Sequence, residues 1–558
     1  MRKIGGKILF SATDLVNFLG CRHCTWLDLK DLEQPLEKAE SDAEKILLKE
    51  KGLEHERAYL ERLREQGLAV AEIPQALSME ERVRATAAEM AAGADVIYQA
   101  ALLGEPWHGY ADFLRRVPAP PNLGPWSYEV VDTKLARTPR PYHVMQLCVY
   151  SDLLARIQGA EPHSMHLVLG DGRAAAFRFS AFAHYYANAR RRFERFVHGP
   201  PAESHPEPCR LCDTCRWRDR CSAQWETDDH LTLVANIQRS QIRKLNDAGI
   251  TTVRALAQVR EGASVRKLAE ETLARLRAQA RLQVQKRDTG QNVYELLDAP
   301  EGRGFQRLPR PDDGDLFFDI EGDPLYPDGL EYLFGFYYFE NGKPVFKPFW
   351  AHEHDRERAA FQEVMDFITR ELERHPGAHI YHYNHYEETA IKRLASRYGT
   401  REAAVDDLLR RGKLVDLFKV VREAIRVSEP RYTLKNLETF YMEKREGEVK
   451  TAADSIVVYE RWRQTGDAAL LDEIRSYNEA DCRSAHGLRD WLLALRREGA
   501  PWANDSRQPQ GEKSTQHQEE AEVRRLDHEQ RLLDGCPVEE RPVRELVAQL
   551  LEFHRREA

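Results

Sequence analysis

Twice in this chain an apolar, strand-like run ends in two charged side chains separated by one residue. The first is Tyr128-Glu-Val-Val-Asp132-Thr-Lys134, the second Asp315-Leu-Phe-Phe-Asp319-Ile-Glu321. Successive strand side chains alternate faces, so Asp132 and Lys134 point one way, and so do Asp319 and Glu321. Strongly helical stretches surround both runs, so the predicted fold class is α/β. A length of 558 residues is a soft prior for three or four domains.

A carboxylate and an ammonium on one strand face suit metal-dependent phosphodiester hydrolysis. The carboxylate holds a divalent cation, and the lysine offsets charge that builds on the phosphate. Asp-x-Lys alone is common on surface strands, so its neighbours in the sequence decide. Gly109-Tyr-Ala-Asp112-Phe-Leu reads as another strand with one acid, and Gly52-Leu-Glu-His55-Glu56 places an imidazole on a helix. Gln146 and Tyr150 stand four apart, on one helix face. In this order the motifs resemble the RecB-type branch of the PD-(D/E)xK nucleases, over roughly residues 8–225. The resemblance implies that His55, Asp112 and Asp132 bind the metal. It implies that Lys134 assists the attacking water, and that Gln146 and Tyr150 position catalytic groups or DNA. The middle acid is Asp132 where many relatives carry Glu.

Met1-Arg-Lys-Ile-Gly-Gly-Lys is not followed by an apolar core like a signal peptide's, so a cytosolic chain is expected, and its nine cysteines are not expected as disulfides. Cys212, Cys215 and Cys221 form C-x2-C-x5-C, Cys209 precedes them, and Cys21 and Cys24 lie near the N-terminus. Spacing alone predicts a metal site, with zinc as the default. One distant N-terminal cysteine plus C-x2-C-x5-C resembles the iron–sulfur RecB-like nucleases. That resemblance implies a [4Fe–4S] cluster on Cys21, Cys212, Cys215 and Cys221, clasping the two ends of the domain. Cys24 and Cys209 are surplus, and either can replace a ligand in this assignment. Cys148, Cys482 and Cys536 read as ordinary thiols.

Residues 227–312 read as a helical linker. Ile242 to Ala257 spells two short helices about a glycine turn and resembles a helix-hairpin-helix, although Ala248 replaces the usual first glycine. Such a turn offers backbone N–H groups to a phosphate. Arg190 and Arg191 on a basic helix, Lys244 in the hairpin and Arg275 on the following run are the candidate nucleic-acid contacts. A solvated helix face is an equal alternative for Arg190 and Arg191, and the more usual reading of the run that carries Arg275.

The second acid pair has company too. Asn341-Gly342 is a hairpin turn signal, His379 to Glu387 is a strand running into a helix, and Tyr477 and Asp481 are one helical turn apart. Together they resemble the DEDD exonucleases of the ribonuclease H-like fold, tyrosine subtype, over about residues 313–495. The resemblance implies two divalent metals, Mg2+ or Mn2+, held by Asp319, Glu321, Glu387 and Asp481, with Tyr477 orienting the water. The second motif departs from the pattern: it ends in Glu387 with one spacer fewer, and Asp416 is another acid in reach. Asp416 reads as structural and Glu387 as the ligand.

The expected organisation is therefore 1–226 iron–sulfur PD-(D/E)xK nuclease, 227–312 linker, 313–497 ribonuclease H-like 3′–5′ exonuclease, and 498–558 linker with a helical extension. The whole resembles a RecB-like nuclease family in which such a region often precedes a superfamily 1 helicase. A helicase, fused or separate, is thus an implied partner. The chain has no Walker A motif and hence no motor of its own. Composition, 42% hydrophobic and 31% charged, fits a soluble protein, and no run of about 18 apolar residues predicts a membrane span. The expected location is the cytoplasm. A net charge of −9 argues against unspecific coating of nucleic acid but permits a local basic groove. The expected activity is metal-dependent hydrolysis of DNA at two sites, in repair, recombination or defence. RNA processing by the second half, and a non-hydrolytic adaptor for a helicase, are the alternatives.

Overall fold

The computed structural model describes residues 1–40, 42–118, 125–200, 203–443, 451–503, 524 and 527–550. The chain divides into two compact units, Met1–Leu273 with Pro324–Gly329, and Ala274–Asp323 with Leu330–Ala558.

The first unit opens with a short hairpin, β1 (Arg2–Ile4) and β2 (Lys7–Leu9), and helices α1 (Ala12–Gly20), α2 (Arg22–Glu33) and α3 (Ala43–Glu65). The Ser11 hydroxyl and Asp14 carboxylate close a reciprocal cap on α1, which fixes where that helix starts. After β3 (Val70–Glu72) and α4 (Met79–Ala92) come β4 (Val96–Gly104), β5 (Trp107–Val117) and β6 (Ser127–Lys134). Then follow α5 (Pro141–Gln158), β7 (Ser164–Leu169), β8 (Ala174–Arg178) and α6 (Phe179–His198). The six strands β3 to β8 pair in chain order. Strand β6 lies inside this sheet, antiparallel to β5 and parallel to β7. That position explains why all its side chains but Lys134 are buried. The core packs α1, α5 and α6 against the sheet through Phe10, Trp107, Leu147, Leu153 and Phe193, each fully buried. Burying one such side chain contributes about 1.5–3 kcal/mol. Gly109 on β5 sits where a Cβ would come within 2.5 Å of the Tyr150 ring, so only glycine lets α5 approach this closely.

Helices α7 (Arg218–Thr227), α8 (Arg239–Asp247) and α9 (Val253–Ala257) complete the first unit. The turn between α8 and α9 uses Gly249 at φ +79°, and Thr252 caps α9. The division at Leu273 falls inside α10 (Glu270–Thr289), so the stretch expected as a linker is shared between both units.

In the second unit β9 (Tyr294–Leu296) precedes β10 (Leu316–Asp323), β11 (Leu330–Glu340) and β12 (Lys343–Trp350). Asn341 and Gly342 both adopt positive φ between β11 and β12, the turn that Asn-Gly favours. Helix α11 (His354–Arg374), β13 (Ile380–His382), α12 (Tyr386–Tyr398), α13 (Glu402–Arg410), β14 (Leu414–Asp416), α14 (Leu417–Ala424) and β15 (Ile425–Val427) follow. The unit ends with α15 (Leu434–Glu438), α16 (Ala452–Thr465), α17 (Ala468–Leu495) and α18 (Arg541–Leu550). Its main sheet runs β12-β11-β10-β13-β14, antiparallel among the first three and parallel from β10 onward. Cores on both faces bury β10, with Phe318 on one side and Phe317 on the other. Of the C-terminal extension expected at 498–558, residues 504–523, 525, 526 and 551–558 lie outside the described residues. Among the described residues no helix is long and apolar enough to cross a membrane.

Candidate active sites

In the second unit, β10 delivers Asp319 and Glu321 to one spot and α17 crosses over it with Asp481. One carboxylate oxygen from each lies within 4.8 Å of the others, the one such convergence of His, Cys, Asp or Glu among the described residues. Burial first, and then the charge of Asp481, push the Glu321 carboxyl up to about 8. Crowded like charges at a strand end fit a divalent cation, which would remove the repulsion that raises the pKa.

Asn478, one turn before Cys482 on α17, donates from Nδ2 to Asp319 Oδ2 at 2.7 Å. It can do so because Gly335 faces it on β11, where a Cβ would stand 1.7 Å from Asn478 Oδ1. Tyr477 is buried beside the trio, and its hydroxyl accepts from Lys435 Nζ at 3.1 Å. Burial, then Asp481, Glu321 and Asp319 in turn, drive its phenol upward, so it stays protonated. Lys435 also lies 4.5 Å above the Tyr477 ring. Asn478 carries no sequence signal of its own: it is defined by what the fold brings opposite.

Glu387 stands elsewhere in this constellation. It is buried at the start of α12, 3.3 Å from His382 Nδ1, and is not in the convergent trio. Asp416 caps α14 by accepting from Phe418 N at 2.9 Å, and accepts from Asn384 N at 3.0 Å. Its oxygen is thus committed to backbone donors.

In the first unit, Asp132 is completely buried at the end of β6 and pairs with Lys134. Its Oδ1 has no hydrogen-bond partner. Burial and the neighbouring Asp112 charge push this carboxyl up to about 8, and Lys134 opposes that shift. Asp112 lies across on β5, where Oδ2 accepts from Thr133 N at 2.8 Å and Thr133 Oγ1 at 2.9 Å. An orphaned buried oxygen beside a second acid fits a cation site, since an unpaired polar atom is otherwise costly. His55 Nε2 lies 3.5 Å from Val168 O, and the His55 imidazole is held below its ordinary range chiefly by burial. Glu56, its neighbour, is also buried, and its carboxyl is raised by burial and then by Asp112. Two adjacent helical residues thus both face the acids, which spacing alone does not reveal. Gln146 Nε2 donates to Tyr150 OH at 3.0 Å.

The six clustered cysteines meet. Cys21 caps α2 by accepting from Cys24 N at 3.4 Å, and Cys209 and Cys212 have sulfurs 3.8 Å apart. Cys24 hydrogen-bonds Cys215, which lowers the Cys215 thiol. Trp217, fully buried, donates from Nε1 to Asp28 Oδ1 at 2.7 Å, and Arg216 Nε donates to the same oxygen at 3.1 Å. These bonds tie α2 to the 209–221 segment. The surplus Cys24 and Cys209 are as much part of the group as the other four.

The basic candidates differ in availability. Arg190 is held by Glu194 and Asp152, each at 2.8 Å, whereas Arg191 is exposed on the same helix. Lys244 is half-buried on α8, and Arg275 is exposed on α10.

Part of the chain matches a known family. Residues 316–493 fit the family model described as RNase_H superfamily. The span begins with β10 and closes within α17, so it contains Asp319, Glu321 and Asp481. It points to metal-dependent nuclease chemistry in the C-terminal part. No curated protein matches the chain.

Proposed function

We propose that the protein is a nuclease with two phosphodiesterase sites, the second a 3′–5′ exonuclease and the first of the PD-(D/E)xK kind, acting on DNA. The observation that carries this reading is the convergence of Asp319, Glu321 and Asp481 within the matched segment. Asp319, Glu321 and Asp481 would hold divalent ions in the second site, with Glu387 completing the set after a local adjustment. Asp112, Asp132 and His55 would hold an ion in the first. Bound there, such ions neutralise charge on the entering and leaving oxygens of an in-line displacement.

The chain's own groups do the rest. The Tyr477 phenol, kept protonated and fixed by Lys435, acts as a hydrogen-bond donor that orients the attacking water or the phosphate. Lys435 and Lys134 place positive charge where a phosphate gains negative charge. Asn478 fixes the rotamer of Asp319.

The thiol group supports a [4Fe–4S] cluster in this reading. Anaerobically purified protein is expected to contain iron and acid-labile sulfide, with both lost in Cys215→Ser. Zinc alone in the wild type would end this part of the proposal. The cluster would clasp the first unit, since α2 and the 209–221 segment are far apart in sequence. A cytoplasmic location, a superfamily 1 helicase partner and a role in repair, recombination or defence complete the proposal.

The test is product analysis of single strands labelled at either end, with magnesium or manganese. The variants are Lys134→Ala, Asp319→Ala and the double. Each single variant is expected to remove a different set of products and the double all of them. A wild type that binds strands yet cuts neither DNA nor a matched RNA would establish the adaptor reading instead.

A further inference from the structure

The guanidiniums of Arg275, Arg422 and Arg426 in the second unit all lie near Tyr432. Helix α10 packs on the β15 end through Gln279, whose Nε2 donates to Val427 O at 2.9 Å and whose Oε1 accepts from Tyr432 OH at 3.0 Å. Arg275 stands one turn before Gln279 on the same helix face. Arg426 adjoins Val427, and Arg422 on α14 lies 5.6 Å from the Phe418 ring centroid. Of the three, Arg426 alone has a carboxylate partner, Glu295 at 2.9 Å. Among the described residues none pairs with Arg275 or Arg422, and both are exposed. Partial burial, then the Arg422 and Arg426 charges, hold the Arg275 guanidinium below its ordinary value. Fixed like charges with one counter-charge among them suit a polyanion, which removes their repulsion.

The cluster also leads somewhere. Tyr432 O accepts from Tyr383 OH, and the Tyr383 and Phe418 rings stand 5.5 Å apart, both half-buried. Three residues after Tyr432 comes Lys435, which touches Tyr477 at the acid site. Three residues span at most about 11 Å, a distance of a few nucleotides.

We propose that Arg275, Arg422 and Arg426 clamp the backbone phosphates of a single nucleic-acid strand whose end lies in the acid trio. This rests on the reading of the second unit as a strand-hydrolysing nuclease.

The test uses the full chain in EDTA, where hydrolysis is silent, with a single strand of about twelve nucleotides. Arginine modification by phenylglyoxal, read by mass spectrometry, is expected to spare Arg275 and Arg422 only when the strand is present. Arg275→Gln with Arg422→Gln is expected to weaken binding about tenfold and to reduce the slope of log affinity against log salt by about 1.4, two phosphates' worth. Arg275→Lys with Arg422→Lys, which retains charge, is expected to keep the slope and serves as the folding control. A bound strand that leaves both arginines reactive, or an unchanged slope in the Gln pair, overturns the clamp. Protection without cleavage in manganese upholds the clamp and removes the hydrolytic reading. DNA and RNA strands run in parallel identify the sugar preferred.

Discussion

Glu321→Gln is expected to lower cleavage at the second site about a thousandfold, some 4 kcal/mol of transition-state stabilisation, while making the metal-free protein more stable at pH 8. The two effects have one origin. The folded Glu321 carboxyl titrates near 8, against an ordinary value of 4.5, because it is buried beside Asp481. A raised acid pKa contributes stability below pH 4.5 that is lost as pH rises through about 8. The shift sets a ceiling of about 5 kcal/mol, shared with Asp481 because the two titrate together. Glutamine resembles the protonated acid at every pH and should therefore flatten this loss. Thermal unfolding in EDTA at pH 5.5 and pH 8 measures it. Manganese should raise the wild-type midpoint more at pH 8 than at pH 5.5, since the ion replaces the proton. In Glu321→Gln that metal-dependent rise should shrink sharply. An equal manganese response in both proteins would remove Glu321 from the metal site.

How much of this was legible in the sequence depends on the range over which each signal acts. The pairing of Asp319 with Glu321 follows from the two-residue period of a strand, and that of Tyr477 with Asp481 from the helical turn. Both are local rules, and the fold respects them. The Asn341-Gly342 turn was legible for the same reason, as one backbone conformation favours those residues. Glu387 is different. Its chemistry as an acid is plain, but whether it turns to the trio or to His382 is decided by how α12 leaves β13. Asn478 and Glu56 were illegible because an asparagine or a second helical acid means nothing until a partner is opposite. Gly335 became informative only with Asn478 against it. The cysteines show the intermediate case. Their spacing predicted a gathering, yet Cys24 and Cys209 join it through the fold, by the contact of α2 with the 209–221 segment. The division inside α10 had no marker at all, since an uninterrupted helical pattern crosses it.

The first site yields the other large effect. Asp132→Asn is expected to lower its cleavage about a thousandfold and leave the second site's products unchanged, because the acids of the two sites sit in separate units. Asp132 is fully buried with Oδ1 unpartnered, so its charge is tolerated only beside a cation. Lys134 supplies part of that compensation, and burial with Asp112 still holds the carboxyl up near 8. The sign is the same as for Glu321: stability is full below pH 3.8 and lost as pH rises through about 8. Below about pH 6 the folded carboxyl is already largely neutral, so metal-free Asp132→Asn should melt close to wild type there and above it at pH 9. Lys134→Ala should act in the opposite direction on stability, because it strips the buried carboxylate of its one cation and leaves Asp112 beside it. Its melting point should therefore fall most at pH 9, where Asp132 is charged, and least near pH 5. Melting curves of the two variants and wild type in EDTA across that range decide the matter. Parallel curves would mean that Asp132 is not the group whose burial is held in check by a cation. The assignment of the first site would then pass to Asp112 and Glu56, the remaining acids beside it.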